Sequence, residues 1–107
     1  MPLRDLGELE LFTLLAIHHL GDEATGLAIR DEIRRRTKRS VSVGSGYATL
    51  GRLADKGLIR FTVDAPRPQQ GGRARKCAQI TVAGTRALRD SIRSLHGMLD
   101  GLAIETR

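Results

Sequence analysis

Ser45, Thr49 and Arg52 stand four and three residues apart, so a helix through them carries two hydroxyls and a guanidinium along one face. This is chemistry for hydrogen bonding to a polar surface. An arginine so placed can donate two hydrogen bonds to a guanine edge, a threonine offers a hydroxyl or a methyl, and Ala48 is small enough to touch a thymine methyl. Cations flank the set: Arg30, Arg34, Arg35, Arg36, Lys38 and Arg39 precede it, and Arg67, Arg73, Arg75 and Lys76 follow. Of these, Arg34, Arg35, Lys38, Arg73, Arg75 and Lys76 are expected to anchor phosphates. Ser45 and Tyr47 are expected there too, although Ser45 also suits a helix cap and Tyr47 a half-buried structural ring.

Bond-breaking chemistry has no comparable constellation. Serine, histidine and acidic residues occur, but no spacing assembles a nucleophile with its base or two carboxylates on a common face. Cys77 is the only cysteine, so no intrachain disulfide can form. His18 and His19 are adjacent and His96 is distant, which gives no metal-ligand grouping. An enzyme is therefore not expected, and neither a metal nor a cofactor is implied.

The 107 residues suffice for one domain, or one domain with an added element. Eighteen Lys and Arg against twelve Asp and Glu leave a formal charge of +6 and a pI near 10.7, a balance that favours a polyanion or an acidic membrane surface. No apolar run approaches the roughly 20 residues that span a bilayer. Residues 1–10 contain acids before any long apolar stretch and do not resemble a secretory signal, so a cytoplasmic location without membrane attachment is expected.

The elements that position these side chains follow from periodicity. Leu9, Phe12, Ala16 and Leu20 recur at steps of three and four, predicting a largely enclosed helix over 6–20. Thr25 caps a second helix over 26–37, with Ile29 and Ile33 inward and the arginine run outward. After a linker in which Ser42 or Ser45 can cap, a third helix buries Leu50, Leu53 and Ala54 and stops at Gly57. Val41 and Val43 suit a short strand or a closure of the core. Ile59, Phe61 and Val63 then alternate with polar residues, as Ile80 and Val82 do across a basic loop, predicting an antiparallel hairpin with one covered face. From Thr85 to about residue 104, Leu88, Ile92, Leu95, Leu99 and Leu102 form a heptad seam, best buried against a second copy unless its first residues pack on the first helix.

The expected fold is mainly α with a small antiparallel β-hairpin: a winged helix-turn-helix over 1–83 and a C-terminal dimerisation helix over 84–107. The chain resembles the PadR family of bacterial transcriptional regulators over almost its whole length. LGELELFTLLAI is similar to that family's first helix and TGLAI to its second-helix opening, with Leu27 where an aromatic is common. GSGYATLGRLADKGLI resembles its most recognisable motif through Tyr47, Leu50, Arg52, Leu53, Gly57 and Leu58, and the wing return matches through Gly72, Arg73, Arg75, Lys76, Thr81 and Gly84. Ala48 stands where proline is usual, and Cys77 and Ala78 where tyrosines are common. The resemblance implies a homodimer on double-stranded DNA that represses from a palindromic promoter element, often released by a small-molecule effector. A winged helix serving as a protein-interaction or adaptor module is the alternative.

Overall fold

The computed structural model describes residues 6–64 and 75–104. Helix α1 spans Glu8–Leu20, α2 Gly26–Thr37 and α3 Val43–Asp55; strands β1 (Ile59–Asp64) and β2 (Arg75–Ile80) form the hairpin, and α4 spans Val82–Leu99. A single 3₁₀ turn, Gly21–Glu23, links the first two helices.

Each helix boundary has a local cause. Thr25 Oγ1 accepts the Ala28 N–H at 3.1 Å to start α2, Ser42 Oγ accepts the Ser45 N–H at 3.1 Å to start α3, and Thr81 Oγ1 accepts the Gly84 N–H at 3.0 Å to start α4. Gly57, at φ +74°, turns the chain out of α3 into β1 as expected of a glycine stop. The linker valines form no strand, because Val43 is already the first residue of α3.

The helices enclose one core of Leu14, Ile17, Ile29, Ile33, Leu50, Leu53, Leu58 and Leu88. The hairpin joins it through Ile59 at its base and through Cys77 and Ala78 of β2, both buried. Ile59 pairs with Ile80 and is buried, whereas Phe61 and Val63, expected on the same covered face, are exposed: beyond Ile59 it is β2, not β1, that lies against the helices. β2 is fastened to the α1–α2 connection by the Ala78 N–H to Ala24 carbonyl bond at 2.9 Å.

Two expectations about the C-terminal part change. Val82 was expected to point inward from a strand, but Thr81 caps a helix that begins at Val82, leaving that valine 72% exposed. The last helix therefore starts three residues earlier than predicted, and its first turns carry Gly84, Ala87 and Leu88 into the core rather than beginning a separate element at residue 84. The helix also ends earlier, at Leu99, where extended Asp100 and Gly101 at φ +77° break it, so Leu102 lies beyond the helix.

Candidate nucleic-acid interface

The surface of α3 is narrower in side chains than the sequence suggested. Leu50 and Leu53 face the core, and Thr49, one residue before Leu50 and four before Leu53, falls on the same side. Thr49 is 0% exposed; its hydroxyl donates to the Ser45 carbonyl at 2.7 Å and accepts from Arg52 Nη2 at 3.1 Å. It cannot read a base, and that expectation is corrected. What α3 leaves outside is Val43, Gly44, Ser45, Tyr47, Ala48, Gly51, Arg52 and Asp55, among which Gly44, Ala48 and Gly51 are small enough for close approach to a groove floor. Near-isosteric Thr49→Val is expected to leave affinity for a preferred duplex unchanged, with stability within about 1 kcal/mol of the parent. Lost discrimination at a single base pair in competition titrations would return Thr49 to the reading face.

Arg52 is exposed but occupied. Its Nε lies 3.6 Å from Glu10 Oε2, beside Lys56 Nζ, which donates to both Glu10 oxygens at 3.0 and 2.9 Å. Glu10 also accepts the Gly7 N–H at 2.9 Å, so one buried carboxylate joins the start of α1 to the end of α3. Neither Glu10 nor Lys56 was singled out from sequence. The available signal was Glu10 lying four and seven residues before inward Leu14 and Ile17, where an acid needs a partner.

Burial alone would raise the Glu10 carboxyl, but the Gly7 N–H, the Lys56 ammonium and the Arg52 guanidinium together hold it below the ordinary glutamate range. A carboxyl held low contributes stability that is full above its unfolded pKa and disappears as pH falls through the folded value. Glu10→Gln is accordingly expected to lose on the order of 1–2 kcal/mol at neutral pH, with the gap to the parent closing below about pH 4. Thermal melts across that range would reject the latch if the gap did not depend on pH.

The cations of α2 divide in two. Arg35 and Arg36 both pair with Glu32, and Arg39 pairs with Glu8 while lying over the Phe12 ring. These are intramolecular contacts, and Arg35 among them was expected at phosphate. Arg30 and Arg34 share one row of α2 and Lys38 follows as its left-handed cap at φ +66°; none of the three has an ion-pair partner among the described residues. The row is the available basic surface.

The wing divides similarly. Arg75 is only 17% exposed at its side chain and donates to Glu23 Oε1 at 2.7 Å and to the Asp22 carbonyl at 3.4 Å, so it ties β2 to the 3₁₀ turn. Lys76 is exposed, its ammonium 4.3 Å from the Phe61 ring centroid. Arg73 and the rest of the basic tip lie outside the described residues. Tyr47 stands exposed between α2 and the wing, its ring near Gly26, in a cleft of about 210 Å³ shared with Phe61 and Lys76. Among the described residues no group of His, Cys, Asp and Glu could hold a metal ion, and no helix is long and apolar enough to cross a membrane.

Three helices, an antiparallel hairpin and a long final helix, with a cationic row beside a nearly bare third helix, define a winged helix-turn-helix DNA-binding regulator. Residues 14–90 match the transcriptional regulator PadR-like family, and the chain belongs to it; this is a family of regulators, not of enzymes. No curated protein matches the sequence significantly. Solved structures do. A complex structure of hsRosR-S1 is 25% identical with a TM-score of 0.68, covering 94% of this chain and 82% of that one. A PadR family transcriptional regulator from Eggerthella lenta is 25% identical with a TM-score of 0.67 over 89% of this chain and 82% of that one. A PadR family transcription regulator from Clostridium difficile shares the fold at 22% identity, with a TM-score of 0.65 over 89% of this chain and 100% of that one.

Proposed function

We propose that the protein is a homodimeric repressor that recognises a palindromic promoter element. In this reading α3 of each copy lies in the major groove, with Ala48 against base edges, and Gly44 and Gly51 allow close approach. Arg34 holds phosphate from α2 and Lys38 from just past its end, Ser45 and Tyr47 from the rim of α3, and Lys76 from the wing. Arg52 reaches a base only by exchanging its contact with Glu10. The observation that carries the reading is the row of unpaired cations on α2 beside the uncluttered face of α3.

Two copies would join through the end of α4, where Leu95 and Leu99 remain 49% and 43% exposed after Leu88 and Ile92 have packed within the chain. A two-fold arrangement would put the recognition helices roughly 34 Å apart, one turn of DNA. Repression and release by a small molecule rest on the family resemblance. In one chain an effector would have the cavity of about 150 Å³ between α1 and α2, lined by Phe12, Leu15, Ala16 and Ile33. That volume is well below the roughly 300–1,000 Å³ of ordinary ligand sites.

Fluorescence anisotropy on the duplex upstream of the protein's own gene, beside a scrambled duplex and across a salt series, tests the proposal. Preferred binding of the native duplex by two chains is the expected result. Equal binding of both duplexes, lost steeply with salt, would leave only non-specific electrostatics and favour an interaction module instead.

A further inference from the structure

α3 presents a reading face with no free guanidinium or ammonium of its own. Gly44, Ala48 and Gly51 are short, and the guanidinium of Arg52 and the ammonium of Lys56 are both turned to Glu10. A recognition helix of this kind still needs a fork of N–H donors to distinguish guanine, and its N-terminal turns are where base edges are met. The neighbouring helix supplies one there.

Arg30 crosses from α2 onto the first turns of α3. A Cβ placed on Gly46 would lie 3.0 Å from Arg30 Cδ, 3.4 Å from Cγ and 3.8 Å from Nε, so the absence of a side chain at Gly46 makes room for the arginine stem. The stem shares this cleft with Val43 and Tyr47, both exposed, and no acid pairs with its guanidinium among the described residues. Arg35 and Arg36 of α2 turn elsewhere, to Glu32, and Arg39 beyond its end turns to Glu8. The cleft, lined also by Ile33, Val41 and Leu50, restricts the rotamers of the stem, and the residue as a whole keeps part of its surface exposed.

We propose that Arg30, laid across Gly46, is the guanine-reading residue of the recognition surface, acting from α2 beside the N-terminal turns of α3. The assignment rests on the DNA-binding reading above and adds to it a specificity determinant outside the recognition helix. Gly46 is the positioning residue, since it alone lets the arginine lie against α3.

Selection of preferred duplexes from a randomised pool by the intact wild-type chain supplies the probe. Competition with single-base-pair variants of that duplex then compares Arg30→Ala, Arg30→Lys, Gly46→Ala and the double variant Arg30→Ala with Gly46→Ala. Arg30→Ala is expected to lose discrimination at one G·C pair per half-site by about tenfold or more while other positions keep theirs. Lysine keeps the charge but lacks the fork, so Arg30→Lys should retain the salt dependence without restoring discrimination. Gly46→Ala should weaken discrimination at the same pair and add nothing in the Arg30→Ala background, the non-additivity expected of one shared contact. Its added methyl meets only a flexible side chain, so the fold is kept, as circular dichroism would verify.

Discrimination by Arg30→Ala equal to the parent's would overturn the assignment. So would a uniform loss on all duplexes with a shallower salt slope, which would make Arg30 a phosphate anchor. A wild-type chain that enriches no sequence would overturn the DNA-recognition reading itself, a failure distinct from that of Arg30.

Discussion

Gly84→Ala is expected to cost the protein about 3 kcal/mol or more, the upper range for overpacking, because the added methyl meets backbone. A Cβ at this position would stand 2.0 Å from the Leu58 carbonyl oxygen and 2.7 Å from Ile80 Cγ1. The Leu58 carbonyl cannot simply move, since it accepts the Thr81 N–H at 3.0 Å, and Thr81 Oγ1 in turn donates to the Gly57 carbonyl at 2.7 Å. The end of α3, the base of the hairpin and the cap of α4 are thus joined where the helix comes closest. Against a typical domain stability of about 5–15 kcal/mol, such a loss should lower the melting temperature by well over 10 °C or prevent folding. Gly97→Ala is the control. It lies in the same helix with nothing within 4 Å of its Cβ direction, so alanine there should stabilise by about 0.5–1 kcal/mol. Thermal melts of the two variants should therefore move in opposite directions; a Gly84→Ala protein melting like the parent would refute the close approach.

Gly84 also shows what kind of information the sequence carried. It was visible as part of a family pattern, but its reason, a helix seated on a carbonyl, is a tertiary contact that no local period reveals. Features governed by neighbours in sequence were legible: Thr25 caps α2, whose limits agree with the expected 26–37, and Gly57 ends α3. Alternation through Ile80 and Val82 predicts a strand that runs on to Val82, whereas the Thr81 hydroxyl caps a helix beginning there. The same difficulty affected the site. Ser45, Thr49 and Arg52 do share a helical line, yet the core reaches the middle of that line and encloses Thr49, while Ser45 lies beyond the packed region. The arginine run could be counted from sequence, and the spacing of Arg35 and Arg36 from Glu32 is a local helical one, but the Arg39–Glu8 pair depends on how α1 packs against α2. Glu10 and Lys56, 46 residues apart, meet only once α1 and α3 are side by side.

The seam of α4 carries the second large expectation. Leu95→Glu combined with Leu99→Glu should convert a dimer into a monomer and lower affinity for a two-half-site duplex by at least about 100-fold, because the linked second contact is lost. Leu88 and Ile92 account for the intrachain part of the stripe, so the substitutions spare the core and the monomer should still give a helical spectrum. Beyond them, Leu95, Met98, Leu99, Leu102 and Ile104 are exposed together at one end of the chain. Full burial of a leucine against a second copy contributes about 1.5–3 kcal/mol, and under two-fold symmetry each residue counts twice. Glutamates at these positions would replace that gain with carboxylates facing carboxylates. Sedimentation across concentration should show parent dimers and variant monomers, and a single half-site duplex should bind both proteins with similar affinity. If the parent were itself monomeric at micromolar concentration, or the variant kept its mass and its affinity, the exposed leucines would not be the contact that pairs two recognition helices. The similar half-site affinity matters most, because it separates loss of pairing from damage to the reading surface proposed on α2, α3 and the wing.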